Sequence, residues 1–333
     1  MYADEKKIFR KDYVYYDTSE AVYFNAYRDG RMAGRISGIL QKAANEKYGT
    51  KEVRFTRYDV IDDPEVSKAL FQAVEDWAKS RGMDTVVGPL GFSDLEREGL
   101  LIGGFEHPAT FEEQYNAPYY QKHLEALGYG KRVDWYESRI RVPEEMDPKL
   151  EEMSEFLIKR YRLHWGEAKD INDFIRRYKD GFFDILDRSY DRIYGTVPFT
   201  DPMKEMLIEN FKMIMSVEYV PVLLDENDKI VAFCICFPSL GGAIAGTDGK
   251  LYPSRLFRLL KAVRHPKEID FGLIGVDPTY ENRGYSVCLI VRMAKSVLGK
   301  GILYAETNLN LEDNASIRNL WKRFDSVEHK HRR

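Results

Sequence analysis

Residues 269–290, IDFGLIGVDPTYENRGYSVCLI, decide how the rest of this chain is read. Ile269, Phe271, Leu273, Ile274 and Val276 form a short, nearly continuous apolar run, the pattern of a buried strand. Asp277-Pro278 turns the chain, a short loop ends at Gly284, and an apolar helix starts at Val287. A strand that runs through a glycine-containing loop into a helix leaves backbone N–H groups unpaired at the helix start, with the helix dipole behind them. That arrangement suits a phosphate or pyrophosphate.

Outward from this stretch, the helix is expected to run to about 298, with a strand over 301–307 and a helix over 314–324. Before it, 220–225 and 230–237 read as a hairpin across Glu226-Asn227-Asp228, followed by a glycine-rich loop over 239–250 and a helix over 254–263. The first part of the chain has the same order. Strands over 21–27 and 31–40 meet at Asp29-Gly30, a strong hairpin turn, and a strand covers 53–60. Asp63 caps and Pro64 opens a helix to Arg81 with Val66, Leu70, Val74 and Trp77 on one stripe. A strand near Val86, a helix over 119–127 and a strand over 133–142 complete it. Hairpin, strand, helix, strand, helix thus occurs twice. The expectation is an α/β chain of the α+β, mixed-sheet kind, with tandem units over 1–142 and 143–333. Each has a mostly antiparallel sheet flanked by helices. Helices over 148–163, 171–189 and 202–215 open the second unit.

Length and composition agree with two units: 333 residues, 44% apolar and 13% aromatic, supply two sizeable cores. Fifty Lys and Arg against 54 Asp and Glu leave no global field for nucleic acid or an anionic membrane. The one basic cluster, His329-Lys330-His331-Arg332-Arg333, reads as a solvated tail. Three cysteines give no disulfide framework, and Cys234-Ile235-Cys236 puts two thiols on one face of a strand as small buried groups. No metal site is expected, because no His or further Cys falls at ligand spacing. The opening residues, MYADEKKIFRKDYVYY, have no apolar core of a leader, and no apolar run approaches ~18 residues. The chain reads as cytoplasmic.

Glu281-Asn282-Arg283-Gly284-Tyr285-Ser286 resembles the acyl-CoA loop of the Gcn5-related N-acetyltransferase (GNAT) family, Gln/Arg-x-x-Gly-x-Gly/Ala, with both outer positions changed. Glu281 brings a negative charge and Ser286 a β-carbon, with a hydroxyl able to donate. The resemblance implies that acetyl-CoA or another acyl-CoA binds at Asn282, Arg283, Gly284, Tyr285 and Ser286, with its pantetheine arm at the splayed strand end near Val276. Residues 305–324 are similar to the family's second cofactor segment. There Asn314 resembles the asparagine that contacts pantetheine, and Trp321 stands where many members have a tyrosine acid. An indole N–H does not give up its proton near neutral pH. Glu306 and Asp270, on neighbouring strands, are the candidates for general base, although alternation leaves open whether either faces the site.

The first unit has Val60-Ile61-Asp62-Asp63-Pro64 where a phosphate loop would stand, so acids already satisfy that helix dipole. Its runs Gly88-Pro89-Leu90-Gly91-Phe92-Ser93, Gly99-Leu100-Leu101-Ile102-Gly103-Gly104-Phe105 and Tyr115-Asn116-Ala117-Pro118-Tyr119-Tyr120 resemble signature segments of YghO-type bacterial tandem acetyltransferase-like proteins. Beside those proteins the chain starts late and ends early. Tyr119 and Tyr120 either line a substrate site between the units or pack the two together. Gly241-Gly242 through Gly249-Lys250 lacks the spacing of a nucleotide loop, and His164-Trp165, read on a helix, is a packing pair. The expected function is acyl-CoA-dependent N-acyl transfer to a small-molecule or peptide amine, with no nucleic acid and no membrane partner. The alternatives are a catalytically inactive GNAT-fold binding or scaffold protein, and a Fem-like aminoacyl transferase. Balanced charge argues against the last.

Overall fold

A computed structural model of the chain describes residues 6–247, 250 and 252–333. A 3-10 turn at Val14–Asp17 leads into a hairpin, β1 (Ser19–Arg28) and β2 (Arg31–Gln41). The turn needs positive φ at Asp29 and Gly30, as the Asp-Gly signal predicts. Helix α1 (Lys42–Tyr48), strand β3 (Glu52–Val60), helix α2 (Pro64–Ser80) and strand β4 (Thr85–Val87) follow. Asp63 caps α2 by accepting from the Glu65 and Val66 N–H groups. These strands form a four-stranded sheet, β1-β2-β3-β4, whose last pair is parallel. Its core joins Ile36, Phe55, Leu70, Phe71 and Val74 to Tyr120 and Leu124 of α3 (Tyr119–Ala126).

The other sheet has nine strands, several of which change the sequence reading. Strand β5 (Leu101–Gly103) lies in the glycine-rich region, and β6 (Trp135–Arg141) is the last strand before residue 143. After α4 (Pro148–Arg160) come β7 (His164–Trp165), α5 (Ile171–Tyr190), α6 (Asp201–Phe211), β8 (Val222–Leu224) and β9 (Ile230–Pro238). Short helix α7 (Gly241–Ile244) and helix α8 (Pro253–Arg264) precede β10 (Glu268–Val276), α9 (Tyr285–Val297), β11 (Tyr304–Thr307), β12 (Asn310–Leu311), α10 (Ala315–Trp321) and β13 (Ser326–Arg332). The order is β5-β13-β6-β11-β10-β9-β8-β7, with β12 also on β6. Strand β6 therefore sits inside the second sheet, between β11 and β13, while β13 reaches back to β5. In each half a strand, helix and strand make a parallel pair, β3-α2-β4 and β10-α9-β11. One face of the larger sheet packs on α9 and α4, the other on the aromatic faces of α5 and α6.

The terminal basic cluster is a strand and not a solvated tail. Lys330 and Arg332 are buried on β13 against Glu137 of β6, at 2.7 Å and 2.6 Å, and Lys330 also meets Glu306 at 2.8 Å. Carboxylates from two other strands neutralise cations that a linear reading assigns to water. His164-Trp165 belongs to an edge strand on β8, not to a helix. All three cysteines are buried and free, with the Cys234 and Cys236 sulfurs 3.7 Å apart on one face.

Candidate functional site

The loop after β10 is set by one buried acid. Asp277 is paired with Arg188 of α5 at 2.8 Å and 2.9 Å, and its Oδ1 accepts the Thr279 N–H at 3.0 Å. Burial opposes ionisation, but Arg188 and the Thr279 hydrogen bonds outweigh it and hold the carboxyl at about 2. From that anchor a 3-10 turn, Pro278–Tyr280, delivers the chain to Asn282 and Gly284, at φ of 63° and 79°. A β-carbon at Gly284 would lie 3.0 Å from the Leu157 side chain, so both conformation and space call for glycine. The N–H groups of Asn282, Gly284, Tyr285 and Ser286 have no acceptor among the described residues. The first turn of α9 carries no acid. Arg283 lies over the rings of Tyr280 and Tyr161, 5.0 Å and 5.3 Å from their centroids, and Glu281 is exposed.

Beside this loop the sheet opens. Strand β10 pairs with β11 only from Glu268–Tyr304 to Phe271–Thr307, and a bulge at Gly272 breaks the register with β9. Asn308 donates to the Gly272 carbonyl at 3.4 Å. From there a cleft of about 2870 Å³ spreads between the halves of the chain, well above the ~300–1,000 Å³ of ordinary ligand pockets. Leu273–Val276 and the loop residues Glu281, Asn282, Gly284, Tyr285 and Ser286 line it, together with Asn314 and Trp321. Phe182, Phe211, Ile235 and Phe237 give an apolar floor, and residues 94–98 and 108–116 of the first half close the far side.

Acids gather behind and along this cleft. Asp270 and Glu306 are register partners across β10 and β11. Glu306 is engaged by His329 and Lys330. Asp270 is 2% exposed, and neither of its oxygens has a partner of normal hydrogen-bond geometry. Burial pushes its carboxyl up to about 7, against a weaker pull from the Ser239 side chain. On the cleft wall, Glu112 is driven well above the usual carboxylate range by burial, and then by the charges of Asp270 and Glu113. Glu113 is pushed up to about 7 by burial, despite Arg332 nearby, and Asp94 to about 6. Glu98 is raised by burial and by Asp94.

Val276, Asn282, Arg283, Gly284, Tyr285, Ser286 and Asn314 therefore come together around the loop and the splayed strands, although Arg283 turns to its tyrosines. Asn314 also caps α10 by accepting from Ile317. The Trp321 indole donates to Asn310 at 3.0 Å and its ring packs on Phe271. Asp270 and Glu306 lie together but behind the cleft wall. Tyr119 and Tyr120 are elsewhere: the Tyr119 hydroxyl donates to the Val60 carbonyl at 2.7 Å, and that of Tyr120 accepts the Val60 N–H at 3.1 Å. They fasten α3 to β3 inside the first core. Sequence reasoning missed Asp94, Glu98, Glu112 and Glu113. The available signal was their density within a long loop that also carries glycines and aromatics. Among the described residues no group of three or more His, Cys, Asp or Glu is placed to hold a metal ion, and no helix is long and apolar enough to cross a membrane.

No family model matches the chain. Protein YghO of Escherichia coli (strain K12) is 26% identical over 314 residues, covering 92% of this chain and 79% of that protein. A bacterial ceramide synthase of Caulobacter vibrioides (strain NA1000 / CB15N) is 29% identical over 273 residues, 80% of this chain and 69% of that one. A tandem GNAT protein from the clavulanic acid biosynthesis pathway superposes with a TM-score of 0.52 at 9% identity, over 95% of this chain and 82% of that one. The chain has the tandem GNAT fold, and its sequence is similar to that of YghO.

Proposed function

We propose that the chain is an acyl-CoA-dependent N-acyltransferase whose second unit, 143–333, holds the cofactor and whose first unit, 1–142, walls the substrate cleft. The observation that carries this reading is the loop over 281–286. Its unpaired N–H groups and positive-φ glycine form a cradle that a β-carbon would fill, and it opens directly onto the cleft. Those residues fit a CoA pyrophosphate. Val276 and the unpaired edge of β10 beyond Phe271, together with Asn314, fit the pantetheine arm. An acyl-CoA bound there supplies a thioester-activated acyl group. The chain's own part is to orient the amine, exclude water with the aromatic floor, and accept the proton that an ammonium must lose. Glu112, on the wall and backed by Asp270, suits that last task, since burial raises both carboxyls above their ordinary range, that of Asp270 to about 7. Glu306 is a second acceptor only if its ion pairs open.

The size and apolar floor of the cleft favour an aliphatic amine and a longer acyl group than acetyl. By its name the Caulobacter relative makes a ceramide, and a ceramide is an N-acylated long-chain amino alcohol. Because acyl-CoA pools are intracellular, this reading places the protein in the cytoplasm. Calorimetric titration of the purified chain with acetyl-CoA and with palmitoyl-CoA tests it. Binding of either, lost in Gly284→Trp, is expected; no heat at millimolar cofactor would sink the assignment. One alternative has its own support: Trp321 is committed to Asn310 and Glu306 to two cations, as in a GNAT-fold binding protein without chemistry. CoA binding without release of free CoA across a panel of amines would favour it.

A further inference from the structure

Strands β9 and β10 are antiparallel neighbours, with Pro238 opposite Ile269, so two residues would suffice to join them. Instead the chain makes an excursion of about thirty residues carrying α7 and α8. Helix α8, PSRLFRLLKAVR, buries none of its residues. Phe257 is 71% exposed, Tyr252 54%, Leu260 45% and Leu256 43%, and helical spacing gathers the last two beside Phe257 on the outward face. The same helix carries Arg255, Arg258, Lys261 and Arg264 and no acid, and Lys267 follows. Arg258 holds the Ala243 carbonyl of α7 at 2.8 Å, and Arg255 the Thr247 carbonyl beyond it. Lys261, Arg264 and Lys267 have no ion-pair partner among the described residues. The inner side of the excursion is part of the cleft: Gly241, Ile244, Ala245 and Leu259 line it.

The geometry points to α8 as a docking helix for an anionic phospholipid surface. Large apolar side chains outward, cations beside them and no acid are the composition of a helix that lies in the headgroup region without spanning the bilayer. The charge decides the occupant. An anionic surface complements these cations, whereas the same face of a second copy would oppose them. Docked this way, the mouth of the cleft rests at the lipid boundary. The inference is independent of the CoA reading, because adsorption needs no cofactor.

Flotation of the full chain with vesicles tests it. Binding is expected to vesicles of phosphatidylcholine mixed with phosphatidylglycerol, to weaken with salt, and to be far weaker with phosphatidylcholine alone. Lys261→Gln with Arg264→Gln should cost roughly five-fold in partitioning per cation removed. Phe257→Ser should cost about tenfold or more. Unchanged circular dichroism and thermal midpoint would show that the variants are folded, since none of these side chains is buried. Failure of the parent chain to float with anionic vesicles, or variants that float equally well, overturns the proposal. A concentration-dependent dimer without lipid that Phe257→Ser abolishes would overturn it in favour of self-association.

Discussion

Replacing Asp270 with asparagine should stabilise the protein while removing its activity, with a pH signature that can be worked out in advance. The carboxyl is buried on β10, and burial, then the charge of Glu306, raise it to about 7 from an ordinary value of 3.8. At about 1.4 kcal/mol per pH unit, ionising it in the folded chain at pH 8 costs about 4 kcal/mol relative to the unfolded chain. The sign follows from the raised folded value: its contribution is undiminished below about pH 4 and is lost as pH rises through about 7. At pH 5 the folded group is protonated and the penalty is only about 1.5 kcal/mol. The asparagine amide would itself be buried without hydrogen-bond partners, which offsets about 1–2 kcal/mol of the gain, so about 2 kcal/mol is expected at pH 8. Urea denaturation of parent and Asp270→Asn at pH 5 and pH 8 checks this through the shift in midpoint. A gain clearly larger at pH 8 is expected, with acyl transfer lost. An equal shift at both pH values, or a loss at pH 8, would refute the assignment of Asp270 as a buried, uncompensated acid.

Three other outcomes are expected. Glu137→Ala leaves Lys330 and Arg332 buried without their anion and should cost about 3–5 kcal/mol, read as a lowered denaturation midpoint; since the folded Glu137 carboxyl is held below its ordinary value, the parent's share of that stability is present above about pH 4–5 and fades as pH falls further. Arg188→Ala strips Asp277 of its two-bonded partner and leaves it only Lys229 at 3.7 Å; with Arg188 37% exposed, solvent screening limits the loss to about 1–3 kcal/mol, and acyl-CoA affinity should weaken in calorimetry because the turn at 278–280 loosens. Tyr120→Phe leaves the Val60 N–H unpaired and should cost about 1 kcal/mol with acyl-CoA binding unchanged, whereas a change in affinity would return Tyr120 to the site.

The organising stretch was legible because each of its parts has a local cause. A buried strand shows as an apolar run, Asp277-Pro278 makes the turn, and Gly284 must take a positive φ. The paired units β3-α2-β4 and β10-α9-β11 were legible for the same reason. Strands β5, β7 and β12 were not, being two or three residues long and too short to show a period. Strand β13 failed differently: its sequence, SVEHKHR, is strongly polar, and Glu137, one of the two anions that pair with Lys330, lies 193 residues earlier. In the glycine-rich stretch over 239–250, α7 accounts for Gly241 and Gly242, while Asp248, Gly249 and the nearby Leu251 lie outside the described residues. A whole-chain charge balance likewise averages away the local cations of α8.

The exchange of strands explains why the acids sort themselves into two kinds. Because β6 stands between β11 and β13, Glu137 and Glu306 face the cations of the terminal strand and are consumed in ion pairs. Arg332 and Lys330 have little left to offer: Arg332 is held by Glu137 and by the Gln114 carbonyl, and Lys330 by two carboxylates. Glu112, Glu113 and Asp270, contributed by both halves, are left without a full counter-charge, and burial raises all three carboxyls, those of Glu113 and Asp270 to about 7. Glu306 and Asp270, indistinguishable as bases in the sequence, thereby separate into a structural anion and a titratable acid. The titratable one lies behind the cleft wall, one residue before the β10–β11 pairing ends, and its charge acts on Glu112, which lines the cleft. The part of the chain before residue 143 thus brings Glu112 and Glu113 to the cleft and supplies β6, on which β13 lies with the His329 and Lys330 that hold Glu306.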